Sequence, residues 1–292
     1  MTNLTGFVNI LKPTGMTSSD VVCKVKKILG TKKVGHFGTL DPAASGVLPL
    51  GVGKGTKFFD YFLSKDKEYV AQVEFGVLTD SLDSFGEILE TEDVDVTEEQ
   101  ILKVLPKFIG KINQVPPKYS AIKINGEKAC DLARKGVDFE IKSREIDVFS
   151  IDLLQKVDKN KYLFKVHCSA GTYIRTLFAD IAEAIGTIST TPVIIRTKSG
   201  RFDLSSVVTL DELENNKKII DIESLFSDFE KIEVENKELS KKIICGTKIP
   251  AQEINGLKEK KEPFFISVNN VTIGLYEIKN DMISQIVYLF EN

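Results

Sequence analysis

The chain reads as an α+β fold, because strand-period and helix-period segments interleave and a strand-rich stretch closes it. Lys67 to Gly76 alternates with period two: Tyr69, Ala71, Val73 and Phe75 share one face, and Val70, Gln72 and Glu74 the other. Ile174, Leu177, Phe178, Ile181 and Ile185 form an apolar helical stripe that Gly186 stops. Phe264 to Val268, Val271 to Tyr276 and Ile283 to Phe290 read as strands, the first two joined by an Asn269-Asn270 turn.

Taken in order, Phe7 to Leu11 is a short strand ended by the Lys12-Pro13-Thr14-Gly15 turn. Ser18 or Ser19 is expected to cap a helix carrying Val21, Val22, Val25, Ile28 and Leu29, with Gly30 as its stop. Gly35 to Pro49 reads as a shaped loop running into the apolar Val47-Leu48-Pro49-Leu50, and Gly55 to Leu63 as a short helix. Thr79 to Gly86 is turn-rich, and its carboxylates are expected to form turns. Thr97 and Gln100 make a capping box for a helix from Ile101 to Phe108 that Pro106 interrupts. An Asn125-Gly126 turn precedes a helix from Glu127 to Gly136. Two strands alternate between Ile141 and Ala170 across the Asp158-Lys159-Asn160-Lys161 turn, and Thr209 with Glu212 caps a late helix. The acidic stretch 211–235 reads as a boundary, which divides the chain into 1–230 and 231–292.

At 292 residues and 42% hydrophobic content, the chain can bury one large core and a smaller one. No apolar run approaches the roughly 18–20 residues of a membrane span, and Met1-Thr2-Asn3-Leu4-Thr5 lacks a signal-peptide pattern. Cys23, Cys130, Cys168 and Cys245 are scattered without a CxxC pair, and there are only two histidines. That composition predicts reduced thiols, a cytoplasmic protein and no zinc site. Net charge is −3, yet residues 1–60 hold 8 basic against 3 acidic side chains, and 101–145 hold 10 against 5. Residues 61–100 reverse this with 2 against 12, so basic segments can line a cleft for a polyanion while acidic ones face away.

The most informative run is Gly35-His36-Phe37-Gly38-Thr39-Leu40-Asp41-Pro42-Ala43-Ala44-Ser45-Gly46-Val47-Leu48-Pro49. Its glycines permit positive φ and close backbone approach, and Pro42 biases Asp41 towards an extended conformation. By local chemistry alone an Asp-Pro turn entering a strand is the simpler reading. The run resembles the catalytic-aspartate motif of the bacterial tRNA pseudouridine-55 synthase family. Further segments are similar to that family in the same order: Lys12-Pro13-Thr14-Gly15-Met16-Thr17-Ser18, the Lys67-Glu68-Tyr69 context, and Thr79 to Gly86. They continue with Pro116-Pro117-Lys118-Tyr119-Ser120-Ala121-Ile122-Lys123, Cys168 to Thr176, and Pro192 to Phe202. Four positions depart from the family pattern: Cys130 stands for a tyrosine, Ala170 for a frequent lysine, Ile194 for a leucine, and Ile195 for the first of two arginines.

The resemblance implies an α+β pseudouridine synthase fold, with a mixed, largely antiparallel sheet flanked by helices and a small C-terminal β-rich module similar to RNA-binding PUA domains. It implies isomerisation of the T-loop uridine of tRNA, with Asp41, Tyr69 and Arg175 as the catalytic set. Asp41 would attack base or ribose, or remove a sugar proton; Arg175 would pair with it, and Tyr69 would stack on the uracil and relay the C5 proton. The expected RNA-binding set is His36, Lys12, Lys33, Tyr173 and Ile194, with His36 filling the space that the flipped base leaves and Ile194 bordering the uracil. The reaction needs neither redox equivalents nor a metal, so no cofactor is expected. The expected partner is the T-arm of tRNA, with no membrane, no obligatory protein partner, and a monomeric enzyme.

Overall fold

The computed structural model describes residues 4–120, 122–124, 126–254, 257 and 260–290. Residues 1–3, Ala121 of the Pro-Pro-Lys-Tyr-Ser-Ala run and Asn125 of the expected turn lie outside the described residues.

Strand β1 (Gly6–Lys12) leads through the Lys-Pro turn into helix α1 (Ser18–Leu29). Thr17 caps α1: its hydroxyl accepts from the Asp20 amide while the Asp20 carboxylate accepts from the Thr17 amide. The expected cap at Ser18 or Ser19 is corrected accordingly, because Ser18 turns inward to exchange hydrogen bonds with the Leu40 backbone. The Asp41 loop lies between β2 (Val34–His36) and β3 (Ser45–Val52). Part of the stretch read as loop is thus strand, since Gly35 and His36 pair with Gly51 and Leu50.

A 3-10 turn runs into α2 (Phe59–Leu63), followed by β4 (Lys67–Phe75) and the small pair β5 (Val77–Thr79) and β6 (Ile88–Thr91). The Thr97–Gln100 capping box opens α3 (Glu98–Val104), and Pro106 converts its end to a 3-10 turn before β7 (Gly110–Gln114). An insertion carries β8 (Lys123–Ile124), β9 (Glu127–Lys128) and α4 (Ala129–Arg134). The hairpin β10 (Arg144–Asp158) and β11 (Lys161–Cys168) turns at Lys159-Asn160, where Asn160 takes φ 57°. Then come α5 (Ile174–Ile185), β12 (Ser189–Ser199), β13 (Phe202–Asp203), α6 (Leu210–Asn216) and α7 (Ile222–Leu225).

The large sheet runs β1-β3-β12-β4-β11-β10-β7, with β2 beside β3 and β13 beside β12. All its pairings are antiparallel except β3 with β12, which meets the expectation of a mixed, largely antiparallel sheet. β4 buries Tyr69, Ala71, Val73 and Phe75 on one face, as its alternation requires, and α5 lays Ile174, Leu177, Phe178 and Ile181 into the same core. A second sheet, ordered β14-β16-β17-β18-β15, comprises β14 (Lys231–Glu233), β15 (Ile249–Pro250), β16 (Phe264–Val268), β17 (Val271–Lys279) and β18 (Met282–Tyr288), with helix α8 (Lys237–Ile244) after β14. Phe226 joins the two sheets: its ring stacks 5.3 Å from Phe58 on one side and meets Phe265 edge-on at 5.7 Å on the other. Offset and edge-on ring pairs of this kind add about 0.5–1.5 kcal/mol each beyond the area they bury.

Candidate active site

A cleft of about 420 Å³ opens where the Asp41 loop meets β4, β12 and the start of α5. The loop is held from several sides by backbone-directed bonds. Ser18 both donates to and accepts from Leu40, and the Gly15 amide donates 2.8 Å to the Pro42 carbonyl. Gly38 and Gly46 adopt φ of 120° and 108°, a region that side-chain-bearing residues avoid, so the glycines of the motif are needed where the chain turns.

Asp41 points at Arg175, whose Nη2 donates to its Oδ2 at 2.7 Å. Arg175 sits in the first turn of α5 with its side chain 3% exposed, where the helix macrodipole opposes a cation. The compensation is extensive. Nη1 donates to the Ser81 carbonyl at 2.7 Å and faces Asp83 Oδ2 at 3.3 Å, and Nη2 donates to the Tyr119 carbonyl at 3.0 Å. Asp83 is a turn former as expected, accepting from the Ser81 hydroxyl and the Phe85 amide, but it is also a buried second counter-ion for Arg175. The entry of α5 is set by Gln114, whose side-chain amide donates to the Tyr173 carbonyl and accepts from its amide.

Tyr69 and Ile194 line the cleft from β4 and β12, and Tyr173 lines it from the start of α5. Burial pushes the Tyr69 phenol up to about 12, against the pull of the neighbouring Arg196 guanidinium. At neutral pH Tyr69 therefore offers a ring and an O–H, not a phenolate. Arg144 stacks its guanidinium 4.7 Å from the Tyr173 ring centre and donates to the Gly171 carbonyl, adding a cation at the cleft wall. Ala170, at the position of a frequent family lysine, also lines the cleft.

The remaining expected residues are placed differently. His36 lies in β2 outside the cleft lining; burial and then Arg196 hold its imidazole below the usual range. Lys33 is exposed just before β2. Lys12 is fully buried, and its ammonium donates to the carbonyls of Pro13 and Met16 at 2.9 and 2.6 Å and reaches that of Pro42 at 3.5 Å. A cation committed to these carbonyls braces the turn beneath Pro42. Lys67 does similar work, donating to the Leu63 and Lys65 carbonyls from the cleft floor.

Sequence reasoning missed Arg196 altogether, although a signal was available. In a strand, Ile194 and Arg196 must share a face, so assigning Ile194 to the cleft assigns Arg196 as well. The same alternation puts Lys67 beside Tyr69. Nothing in the sequence marked Arg144.

The fold is that of pseudouridine synthases. A protein chain in the structure of an H/ACA RNP bound to a substrate RNA containing 2′-deoxyuridine superposes with TM-score 0.70 and 25% identity, over 98% of this chain and 85% of that one. A chain of a Cbf5–Nop10–Gar1 complex does so with TM-score 0.72 and 26% identity, again over 98% and 85%. Residues 26–174 match the model of the TruB family pseudouridylate synthase N-terminal domain. A tRNA pseudouridine synthase B of Clostridioides difficile (strain 630) is 48% identical over 210 residues, 71% of this chain and 69% of the relative. That of Clostridium kluyveri is 40% identical over 276 residues, 92% and 95% of the two chains. This chain belongs to the TruB family of pseudouridylate synthases.

Proposed function

We infer that this chain isomerises a uridine of tRNA to pseudouridine, the T-loop uridine at tRNA position 55, with Asp41 as the reacting group. The observation that carries the reading is the chemistry of the cleft: among its lining residues Asp41 alone bears a carboxylate, and none is a histidine or cysteine. Isomerisation breaks the N1–C1′ bond, turns the uracil and forms C5–C1′. It asks for one group that attacks base or ribose, or takes a sugar proton. Arg175 engages Oδ2 of Asp41, so Oδ1 is the oxygen left for that step, and the side chain is 32% exposed to the cleft.

The target base has to leave its stack, at a cost of a few kcal/mol. The Tyr69 ring and the Ile194 side chain offer the flat and apolar surfaces that repay it, since stacking on an aromatic contributes about 1–3 kcal/mol per base. Lys33 and the lysines of α1 supply cations for the RNA backbone, and His36 fills the space that the flipped base leaves. Residues 231–292 act in this reading as an RNA-binding module, and the enzyme works as a cytoplasmic monomer on the T-arm without a protein partner.

A second reading, a synthase working only inside an RNA–protein assembly, draws on the structural neighbours, which come from such complexes. Identity favours the first reading: 25–26% with those chains against 40–48% with the tRNA pseudouridine synthases B. Tritium release from [5-³H]uridine-labelled T-arm RNA tests both. The isolated chain should release it, and Asp41→Asn should lose release while retaining RNA binding. Binding without release by the isolated wild type would overturn the stand-alone reading.

A further inference from the structure

Building on the isomerase reading above, we propose that Arg196 is a positioning residue that locks the Asp41 loop and Tyr69 into one unit. The β12–β4 register sets Arg196 directly across from Tyr69, on the cleft face it shares with Ile194. Its side chain is 1% exposed and spends its donors on the loop: Nε on the Val47 carbonyl at 2.8 Å, Nη1 on Thr39 at 3.2 Å and Nη2 on Gly38 at 3.3 Å. These acceptors bracket Asp41 on both sides in the chain. The same register and cleft lining put the guanidinium beside the Tyr69 side chain, where it pulls against the effect of burial on the phenol.

The chemistry gives that juxtaposition a direction. A guanidinium has five N–H donors and no acceptor, so towards it Tyr69 can only accept through its phenolic oxygen, and the phenolic hydrogen remains to be donated elsewhere. Arg196 thereby orients the one O–H that a base seated against Tyr69 would meet. Among the described residues its bonded partners are carbonyls, not a carboxylate, which makes it a costly cation to bury for packing alone. The far limb of the loop is fitted to the same residue: a Cβ at Gly46 would fall 2.2 Å from the Arg196 carbonyl oxygen. A lysine offers one point charge where this planar fork spans three separate carbonyls.

The test compares wild type, Arg196→Lys and Arg196→Gln for melting temperature, T-arm RNA affinity and single-turnover tritium release, with and without Tyr69→Phe. We expect Arg196→Lys to keep RNA affinity within about twofold and to lose roughly a hundredfold in single-turnover rate, the cost of ångström-scale misplacement. The loss should be smaller in the Tyr69→Phe background, because the Tyr69 limb of the coupling is already gone. A wild-type rate in Arg196→Lys, a loss confined to affinity, or an equal fold-loss in both backgrounds would overturn the proposal. Should no Arg196 variant fold, the wild-type Arg196 Nε–H, bonded to Val47, still decides: slow hydrogen exchange in ¹⁵N-arginine-labelled protein supports the clamp and fast exchange overturns it. If the wild type releases no tritium, the isomerase reading fails, and the exchange measurement judges the clamp independently.

Discussion

Replacing Arg175 by lysine keeps the charge and removes the fork. Arg175 reaches four acceptors: Asp41 Oδ2 and Ser81 O at 2.7 Å, Tyr119 O at 3.0 Å and Asp83 Oδ2 at 3.3 Å. An ammonium carries three hydrogens on one atom and cannot serve acceptors spread around two guanidinium nitrogens. Losing two charge-assisted bonds at about 1.5–3 kcal/mol each predicts a destabilisation of roughly 3 kcal/mol for Arg175→Lys. Displacing Asp41 by about 1 Å costs on the order of 10²-fold in rate, or roughly 2.7 kcal/mol. Arg175→Met removes the charge as well and leaves buried Asp83 uncompensated, for a loss of about 3–5 kcal/mol. Adding Asp83→Asn should return about 1–3 kcal/mol of that, because the amide oxygen can still accept from the Ser81 hydroxyl and the Phe85 amide. Urea unfolding gives the stabilities, and single-turnover tritium release with parallel RNA binding gives the rates. A wild-type rate in Arg175→Lys would refute the claim that the fork orients Asp41. An Arg175→Met/Asp83→Asn protein no more stable than Arg175→Met would refute the counter-ion role of Asp83.

Gly46→Ala should destabilise the fold by at least about 3 kcal/mol, since it forces a side chain onto left-handed backbone and against a carbonyl that cannot move aside; an unchanged urea midpoint would contradict the loop packing. The pH dependence of stability has a defined sign. Burial pushes Lys12 and Lys67 down to about 8 from the ordinary 10.5, so above pH 8 the unfolded chain holds more protons than the folded one, and stability rises with pH. The rise belongs to pH 8–9, before the Cys168 thiol, which burial pushes up to about 12, begins to oppose it. Chemical denaturation at pH 7.5, 8.25 and 9 checks this; Lys12→Met should flatten the slope, and an equal slope in both proteins would count against it.

Much of this protein was legible before any coordinates. Period-two spacing in 67–75 and period-3.6 spacing in 174–185 depend on local geometry, and both put their apolar faces where the alternation says. Capping boxes at Thr97–Gln100 and Thr209–Glu212, and the Asn160 and Asn269-Asn270 turns with their positive φ, are likewise local chemistry. That Asp41, Tyr69 and Arg175 would share a site could be expected because a motif records which residue types recur together, and all three line one cleft.

What the sequence by itself determined, then, is many of the elements, the family and the motif that carries Asp41. Tertiary structure decided the support: that Lys12 is buried and braces a turn, that Asp83 serves Arg175, that Thr17 and not Ser18 caps α1, and that Arg196 spans the loop. The reason is physical. A charged side chain is written the same way whether it faces solvent or is buried among carbonyls, and its farthest partners here lie 30 residues away for Lys12, 134 for Arg175 and 158 for Arg196. Only closure of the sheet brings those acceptors within reach and converts an ordinary lysine or arginine into part of the frame that holds Asp41.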